Sequence, residues 1–310
     1  MERYTIEKVL SQALFGDVVL CVDTITGDRV AIKRMNIDSA AAQVVVDGPP
    51  RRVSEDISFE KHVNRTLQAG GSHANVVAMR DDFVQDGVEH FVFDYCPCGE
   101  LFDAADQQSS QRMDAETVQR YFQQIVRGVA YIHSQGFAHR DLSLENVLLD
   151  ENDTCRVCDF GLAAAIDTKH TQVVGKSFYM APEVVSGMPY DAAAADVWSL
   201  GIMLFILITG APLVEFADSR DSRFRFLDTD GLRELIRSWE MEDMFEPQCL
   251  SLVEQLLTID PVFRPTIDEV VQHPYVSGES VFQLPEASPE DLKAAKAAFH
   301  IADLASFELM

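Results

Sequence analysis

The sequence predicts an α+β fold in which a strand-rich first part is followed by a mostly helical second part. The first observation is that, before Gly99, short segments rich in β-branched residues alternate with turn signals. The second is that, after Gly99, apolar residues recur every three or four positions, which is typical of amphipathic helices. Because two such parts meet in a cleft, we expect the functional residues to lie where they join.

Two strand pairs and one helix are predicted before Gly99. The turn signal Thr26–Asp28 separates the members of the first pair, and Gln85–Gly87 separates those of the second. The helix lies between the two pairs and has apolar residues at helical spacing. The predicted elements are strands at Asp17–Asp23, Val30–Met35, Ala78–Val84 and His90–Tyr95 and a helix at Ser58–Gln68.

Three helices are predicted after Gly99 from local sequence signals. Asp114 is placed to cap an amphipathic helix, because Asp is a preferred N-cap residue. Asp196–Thr209 is apolar on every face and stops at Gly210, which predicts a helix buried in the centre of this part. Thr266–Glu269 has the pattern of a capping box and begins a third helix, which His273 closes before a proline.

The chain is therefore divided into three segments. Residues 1–94 form the strand-rich part, residues 95–276 form the helical part, and residues 277–310 form a C-terminal tail. In the tail, Ser288 precedes an acidic turn and an amphipathic stretch that reaches Phe299. This stretch is predicted as a helix docked on the body.

The chain is strongly acidic. It has 310 residues with 25 Lys and Arg against 50 Asp and Glu, a net charge of −25. A field of this sign repels phosphate backbones and anionic lipid, so we expect protein partners and neither nucleic acid nor a membrane surface. The longest apolar run, Ile202–Ile208, is too short for a membrane span, and no signal sequence is expected. Six cysteines are too sparse for a disulfide scaffold, so we expect a reducing compartment, the cytoplasm, with the nucleus left open.

Four motifs in the chain carry the strongest chemical signal. His139–Asn146 fits H-R-D-L-x-x-x-N at every fixed position, and Asp159–Gly161 reads D-F-G. Ala181–Glu183 reads A-P-E, and Val30–Lys33 reads V-A-I-K upstream of the others. Together, in this order, they make the chain resemble the eukaryotic protein kinases, most closely the serine/threonine group, over about residues 4–276.

This resemblance implies a bilobal fold and transfer of the ATP γ-phosphate to protein hydroxyls with the help of Mg²⁺. In the family, an aspartate accepts or orients the hydroxyl proton, and a lysine held by a helix carboxylate contacts the α- and β-phosphates. An asparagine and a second aspartate hold the metal through oxygen atoms, the donors that Mg²⁺ prefers. The residues at these positions are Asp141, Lys33, Glu60, Asn146 and Asp159, with Glu55 as an alternative to Glu60.

The phosphate-covering loop departs from the family pattern G-x-G-x-x-G-x-V. Ser11 and Ala13 replace the first two glycines, and Gly16 and Val18 are kept. Because side chains hinder close backbone approach to phosphate, we expect a stiffer loop and weaker ATP binding, but not its loss. The other nucleotide-binding positions implied by the resemblance are Ala31, Lys33, Phe93, Asp94, Tyr95, Cys96 and Leu148.

A second departure concerns the charge beside the reacting phosphate. Serine/threonine kinases usually have a lysine two residues after the catalytic aspartate, but Ser143 stands there. They also have a threonine after the glycine before the A-P-E run, but Lys176 follows Gly175 here. We hypothesise that Lys176 supplies the missing cation and that Ser143 takes the hydroxyl role. The alternative is a surface lysine without a role.

Regulation and substrate preference are read from the same resemblance. Thr168 and Thr171 lie in the activation segment, where phosphorylation orders the loop in many kinases, and Arg140 is placed to receive a phosphate. The commonest family phosphorylation position falls near Gln172 instead.

Three acidic residues resemble positions that receive basic side chains of the substrate, although a solvated acidic face would have the same sequence. They are Glu100, Asp103 and Glu145. The competing function is that of a pseudokinase, which binds nucleotide or partner proteins as a scaffold. The eroded glycine loop and Ser143 favour it, whereas the presence of all four family residues at 33, 141, 146 and 159 argues against it.

Overall fold

A five-stranded antiparallel sheet forms the first part of the chain. In the computed structural model, which describes residues 1–42, 55–106 and 113–278, the strand order is β1-β2-β3-β5-β4. The strands are β1 (Tyr4–Ala13), β2 (Gly16–Asp23), β3 (Arg29–Asn36), β4 (Met79–Gln85) and β5 (Val88–Asp94). All four predicted strands are present, each within two residues of its predicted ends, and the two predicted pairs are adjacent antiparallel neighbours.

Strand β1 is the strand of this sheet that the sequence did not predict. It lies at the edge of the sheet, and only Tyr4 among its ten residues is buried. A strand exposed on both faces has no need for alternating apolar residues, so the period-two pattern that identifies a half-buried strand is missing. The pairing of β1 with β2 is also irregular, with register shifts between Ile6 and Lys8 and between Val9 and Ser11.

Helices dominate the chain after the sheet, and in the described residues α1 and α2 lie between β3 and β4. Those in the described ranges are α1 (Ile37–Ala41), α2 (Ile57–Gln68), α3 (Leu101–Asp106), α4 (Ala115–Ser134), α5 (Pro182–Val185), α6 (Ala192–Thr209), α7 (Ser222–Asp230), α8 (Leu232–Ser238), α9 (Pro247–Leu256), α10 (Ile267–Gln272) and α11 (Pro274–Ser277). Short two-stranded pairings accompany them: β6 (Phe137–Ala138) with β9 (Ala164–Ala165), β7 (Val147–Leu149) with β8 (Cys155–Val157), and β10 (Lys169–His170) with β11 (Tyr190–Asp191). The predicted α+β fold is confirmed.

The helix ends follow from local capping chemistry. Asp114 caps α4 through a hydrogen bond from the Thr117 amide, and Thr266 forms the predicted capping box with Glu269 at the start of α10. Helix α6 begins four residues before its predicted start, because the Asp191 side chain accepts hydrogen bonds from the amides of the first turn. It ends at Gly210, as predicted, in a left-handed conformation.

Helix α6 forms the centre of the helical part. By length and composition it could cross a membrane, but 78% of it is buried inside the protein. Its buried residues pack with those of α4, whose inward face carries Phe122, Ile125, Val129 and Ile132. The apolar surface of α6 is therefore accounted for by packing against the rest of the core.

One buried glycine joins α4 to the segment that follows α2. A Cβ atom on Gly128 would lie 2.5 Å from the Asn75 carbonyl oxygen, which accepts a hydrogen bond from the Val157 amide. We expect Gly128→Ala to destabilise the fold by about 1–3 kcal/mol despite its better helix propensity, because the backbone must move. Thermal unfolding measures this effect as a fall in Tm of several degrees.

Gly70 provides the matched control for that substitution. It lies after α2, has no positive φ angle, and leaves open space where a Cβ atom would be added. Gly70→Ala should leave Tm unchanged within about 1 °C. Equal Tm values for both variants would show that the contact at Gly128 can relax without cost. The predicted tail helix at Ser288–Phe299 lies outside the described residues.

Candidate active site

A lysine from the sheet lies between two carboxylates at the junction of the two parts. Lys33 Nζ is 2.8 Å from Glu60 Oε1 and 3.0 Å from Asp159 Oδ1. Lys33 extends from β3, and Glu60 lies in the first turn of α2, which Asp56 caps through the amides of Ser58 and Phe59. The family resemblance assigns this ion pair to Glu60 or Glu55, and the contact is made by Glu60.

Burial of Lys33 favours loss of its proton, but the neighbouring carboxylates outweigh this effect. Asp159 and Glu60 raise the pKa of Lys33, so the ammonium is kept at neutral pH. In return, the charge of Lys33 lowers the pKa of the Asp159 carboxyl. The Asp159 side chain is 45% exposed, so its charged carboxylate is available to a ligand.

Glu55 lies nearby without making the ion pair. Its carboxyl group packs against Gly161, where a Cβ atom would be 3.0 Å from the Glu55 Cδ. Burial raises the pKa of Glu55 to about 7, partly offset by the charge of Lys33 and reinforced by that of Asp159. Glu55 precedes the first residue of α2, whereas Glu60 is on the helix, and this difference of position decides which carboxylate reaches Lys33.

A buried aspartate fixes the backbone of the loop that carries Asp141. Asp196 accepts hydrogen bonds from the amide of His139 at 2.7 Å and from the amide of Arg140 at 2.8 Å. The ring of His133 donates a third, at 2.9 Å. Arg140 has a left-handed backbone with φ of 62°, a conformation that costs energy for a residue with a side chain. These hydrogen bonds to Asp196 hold the loop in that conformation.

Asp141 is held by groups from both sides of the loop. Asn146 Nδ2 donates to Asp141 Oδ2 at 2.8 Å, and the Lys176 amide donates to Asp141 Oδ1 at 3.2 Å. Burial raises the pKa of Asp141, and the Lys176 ammonium acts in the opposite direction. The carboxylate is thus oriented at both oxygens, and 18% of the side chain is exposed.

The side chain of Lys176 enters the site. Its Nζ donates to Ser143 Oγ at 2.7 Å and lies 3.8 Å from Asp141 Oδ2. Ser143 is fully buried, and Lys176 is about one-third exposed on its open side. The two positions at which the chain departs from the family are therefore in direct contact, and an ammonium group lies beside Asp141 although position 143 carries a serine.

The donor atoms near Asp159 suit a hard divalent cation. Both hydrogen bonds of the Asn146 amide use Nδ2, which leaves Oδ1 as an oxygen ligand, and Asp159 contributes a carboxylate. Among the described residues, no cluster of three or more His, Cys, Asp or Glu side chains could hold a metal ion. Two oxygen ligands suit a Mg²⁺ ion that is also bound by phosphates of a substrate, and they would not form an all-protein cage.

The predicted nucleotide-binding residues lie on β1, β2, β3, β5, the linker after β5 and β7. The hairpin of β1 and β2 pairs as far as Ala13 and Gly16, so Ser11 belongs to the ladder opposite Val18. The predicted residues that are half-buried include Val18, Ala31, Phe93, Tyr95 and Leu148.

The linker after β5 is held by backbone hydrogen bonds at both ends. The amide of Asp94 donates to the Ala78 carbonyl, and the Asp94 carboxylate pairs with Arg80. Cys96 is buried in the same linker, and the amide of Cys98 donates to Leu149.

Three predicted substrate-binding acids lie near one another. Burial and the charges of Asp103 and Glu145 raise the pKa of Glu100, whereas Lys176 lowers it. Glu145 Oε2 accepts a hydrogen bond from Tyr179 at 3.1 Å. The three carboxylates therefore form one acidic surface beside the residues that surround Asp141.

The structure gives Arg140 a neutral partner in the activation segment. Arg140 donates to the Leu162 carbonyl at 2.7 Å and to Gln172 Oε1 at 3.0 Å. Thr168 and Thr171 are both exposed, and Thr168 contacts His170. The contact between Arg140 and Gln172 was not predicted, although the commonest phosphorylation position of the family falls near Gln172.

Phe15, like the Gln172 contact, was not indicated by the sequence. It lies in the turn between β1 and β2 but is only 1% exposed. The one signal that could have revealed its burial was the presence of an aromatic residue in a turn, because residues at loop tips are normally polar and exposed.

Comparison with known proteins identifies relatives of this chain. The protein kinase domain family matches residues 4–276. The chain is 31% identical over 281 residues to the CBL-interacting serine/threonine-protein kinase 5 of Arabidopsis thaliana, which covers 88% of this chain and 58% of that protein. It is 37% identical over 216 residues to the CBL-interacting protein kinase 11 of Oryza sativa subsp. japonica, covering 68% of this chain and 40% of the relative.

A third relative has a different name but similar coverage. The maternal embryonic leucine zipper kinase of Xenopus laevis is 31% identical over 285 residues, which is 89% of this chain and 39% of that protein. The chain thus spans less than two thirds of the length of each of these relatives.

Proposed function

The chain belongs to the protein kinase domain family, and we propose that it transfers the γ-phosphate of ATP to serine and threonine hydroxyls of protein substrates, with Mg²⁺ as the metal ion. One observation carries the proposal: two groups of charged residues lie so close together that, in addition to burial, the charge of Asp159 raises the pKa of Asp141. Lys33, Glu60 and Asp159 form the first, and Asp141 and Lys176 belong to the second.

Each residue has a role that its surroundings support. Lys33, kept charged by its two carboxylates, contacts the α- and β-phosphates. Asp141 orients the substrate hydroxyl and takes its proton as the oxygen attacks the γ-phosphorus and the bond to the β-phosphate oxygen breaks. Asn146 and Asp159 would hold the metal ion, which would supply positive charge to the phosphate oxygens when bound.

Lys176 supplies the cation for the transferring phosphoryl group. Its ammonium is hydrogen-bonded to Ser143 and lies near Asp141, which supports the exchange of roles between positions 143 and 176. Charge placed in advance beside the developing transition state needs no reorganisation during the reaction, and such groups are worth several kcal/mol. A protein with a net charge of −25 depends on these few cations to accept a tetra-anionic nucleotide.

A scaffold that binds nucleotide without catalysis is the second candidate, and the hairpin without its first two glycines favours it. Purified chain incubated with γ-labelled ATP, Mg²⁺ and a serine peptide flanked by arginines separates the two. We expect label in the peptide and none when the metal is chelated. ATP binding without transfer to any Ser or Thr peptide would favour the scaffold.

The acidic surface beside the site predicts a preference for basic substrates. Replacing Glu100 and Glu145 together by Gln should raise the peptide KM by about tenfold, because ion pairs with basic residues of the peptide are lost. The ATP KM should stay unchanged, because these ion pairs are made with the peptide and not with ATP. Steady-state kinetics with arginine-containing and neutral peptides measure the effect, which should vanish for the neutral peptide.

Glu116 serves as the matched control, because it is an exposed glutamate at the start of α4. Glu116→Gln should leave both KM values unchanged. An equal rise in KM for both peptides in the Glu100 and Glu145 double variant would show that these acids act on the fold of the cleft and do not select basic residues.

A further inference from the structure

The tip of the hairpin that covers the nucleotide cleft is turned into the protein. Leu14 and Phe15 form the two-residue connection between Ala13 and Gly16, and Phe15 is 1% exposed. Gly16 makes this possible, because a Cβ atom there would lie 2.0 Å from the Arg34 carbonyl oxygen. The absence of a side chain at Gly16 lets the start of β2 approach β3 closely.

Phe15 is fixed through both its side chain and its backbone. The ring belongs to a buried cluster with Met35, Met79 and Phe91. The Phe15 carbonyl accepts a hydrogen bond of 2.8 Å from the Asn36 amide, just beyond the end of the β2 pairing on β3. A tip held at two points has less freedom than a glycine-rich loop of the same length.

The cluster around Phe15 also contacts the elements that form the ion pair. Ile57, the first residue of α2, packs against it, and Glu60 lies one turn further along the same helix. Met35 is two residues after Lys33 on β3, so both side chains lie on one face of the sheet. The tip of the hairpin, the start of α2 and the strand that carries Lys33 thus share one apolar contact.

We propose that Phe15 is a positioning residue that anchors the nucleotide-covering hairpin to the cluster at the start of α2, and so holds the hairpin in register with Lys33 and Glu60. The inference rests on the proposed function, because the ligand that it positions is Mg-ATP. Where a glycine-rich loop adapts to phosphate, this hairpin is already ordered before the ligand binds. Ordering in advance reduces the entropy lost on binding, so the anchor contributes to affinity.

The test compares Phe15→Ser, Phe15→Leu and Ile25→Ser in the full chain. Ile25 is the matched control, because it is 75% exposed in the next turn of the same sheet. We measure hydrogen exchange of the Asn36 amide without ligand, the Kd for Mg-ATP, and Tm. Phe15→Ser should accelerate exchange and weaken Mg-ATP binding, each by roughly tenfold. Phe15→Leu should restore most of both values, and Ile25→Ser should change neither.

Two results would overturn the inference. Faster exchange with an unchanged Kd would mean that the anchor orders the tip without positioning the ligand, and a lower Kd would mean that the tip obstructs binding. If Phe15→Ser unfolds, as Tm would reveal, Phe15→Val carries the same test with a smaller change. Failure of the proposed function appears differently, because the unmutated chain would then not transfer phosphate to any peptide, whatever the Phe15 variants do. An unmutated chain that does not bind Mg-ATP would overturn both the proposed function and the role of Phe15.

Discussion

The Asp159→Asn variant should lose at least ~10³-fold in kcat, because a neutral amide replaces an exposed, charged carboxylate. Asp159 is proposed to hold the metal ion, and its charge also raises the pKa of Lys33 together with that of Glu60. Asn has nearly the same shape as Asp, so the loss of activity would be caused by the missing charge. Kinetics with saturating peptide and varied Mg²⁺ should show that added metal does not restore activity.

Stability should change little in the same variant. The Asp159 side chain is 45% exposed, and Lys33 keeps its contact with Glu60, so we expect Tm to stay within about 2 °C. Asp243→Asn is the matched control, because Asp243 is an exposed aspartate in a short 3₁₀ turn far along the chain. Phosphotransfer by Asp159→Asn at a tenth or more of the unmutated rate would contradict the role proposed for this carboxylate.

The sequence predicted most of this site because its residues lie in short motifs whose internal geometry is local. The loop that carries Asp141 and Asn146 is one continuous segment, and their side chains meet because they are five residues apart in a tight turn. The partner of Lys33 was harder to assign. Glu55 and Glu60 lie in the same region, and only the start of α2 at Ile57 shows which one is on the helix.

The parts that the sequence could not predict depend on contacts between distant residues. Phe15 is buried because Met79 and Phe91, more than sixty residues away in the chain, form the surface beneath it. Strand β1 is paired along one edge and exposed elsewhere, so its residues lack a periodic apolar pattern. Local patterns determine helices and turns well, but they carry no information about which turn will fold under a sheet.

The exchange between positions 143 and 176 yields the second large effect. Lys176→Met should lower kcat by about 10²–10³-fold, because it removes the ammonium that lies 3.8 Å from Asp141. Ser143→Lys alone should also be impaired, because it places a second ammonium in a fully buried position that Lys176 already contacts. Combining Ser143→Lys with Lys176→Thr should recover at least tenfold over either single variant, since one cation and one hydroxyl are again present.

The pH dependence of Lys176→Met gives an independent readout. Lys176 lowers the pKa of Asp141, which burial raises, so loss of the ammonium raises this pKa further. Catalysis needs the ionised carboxylate, and the acidic limb of the kcat/KM profile should therefore move to higher pH. Lys169→Met provides the matched control, because Lys169 lies in the same segment but is 63% exposed and pairs with Asp191.

The double-mutant cycle separates a shared catalytic role from two unrelated ones. If the free-energy losses of Ser143→Lys and Lys176→Thr simply add, the two positions do not exchange a function, and the hydrogen bond between them is structural. If Lys176→Met behaves like Lys169→Met in both rate and pH profile, the cation that compensates for Ser143 must come from elsewhere. Recovery in the double variant, together with a shifted acidic limb in Lys176→Met, requires that the charge of Lys176 acts at Asp141, because a lysine with a purely structural contact to Ser143 would alter neither measurement.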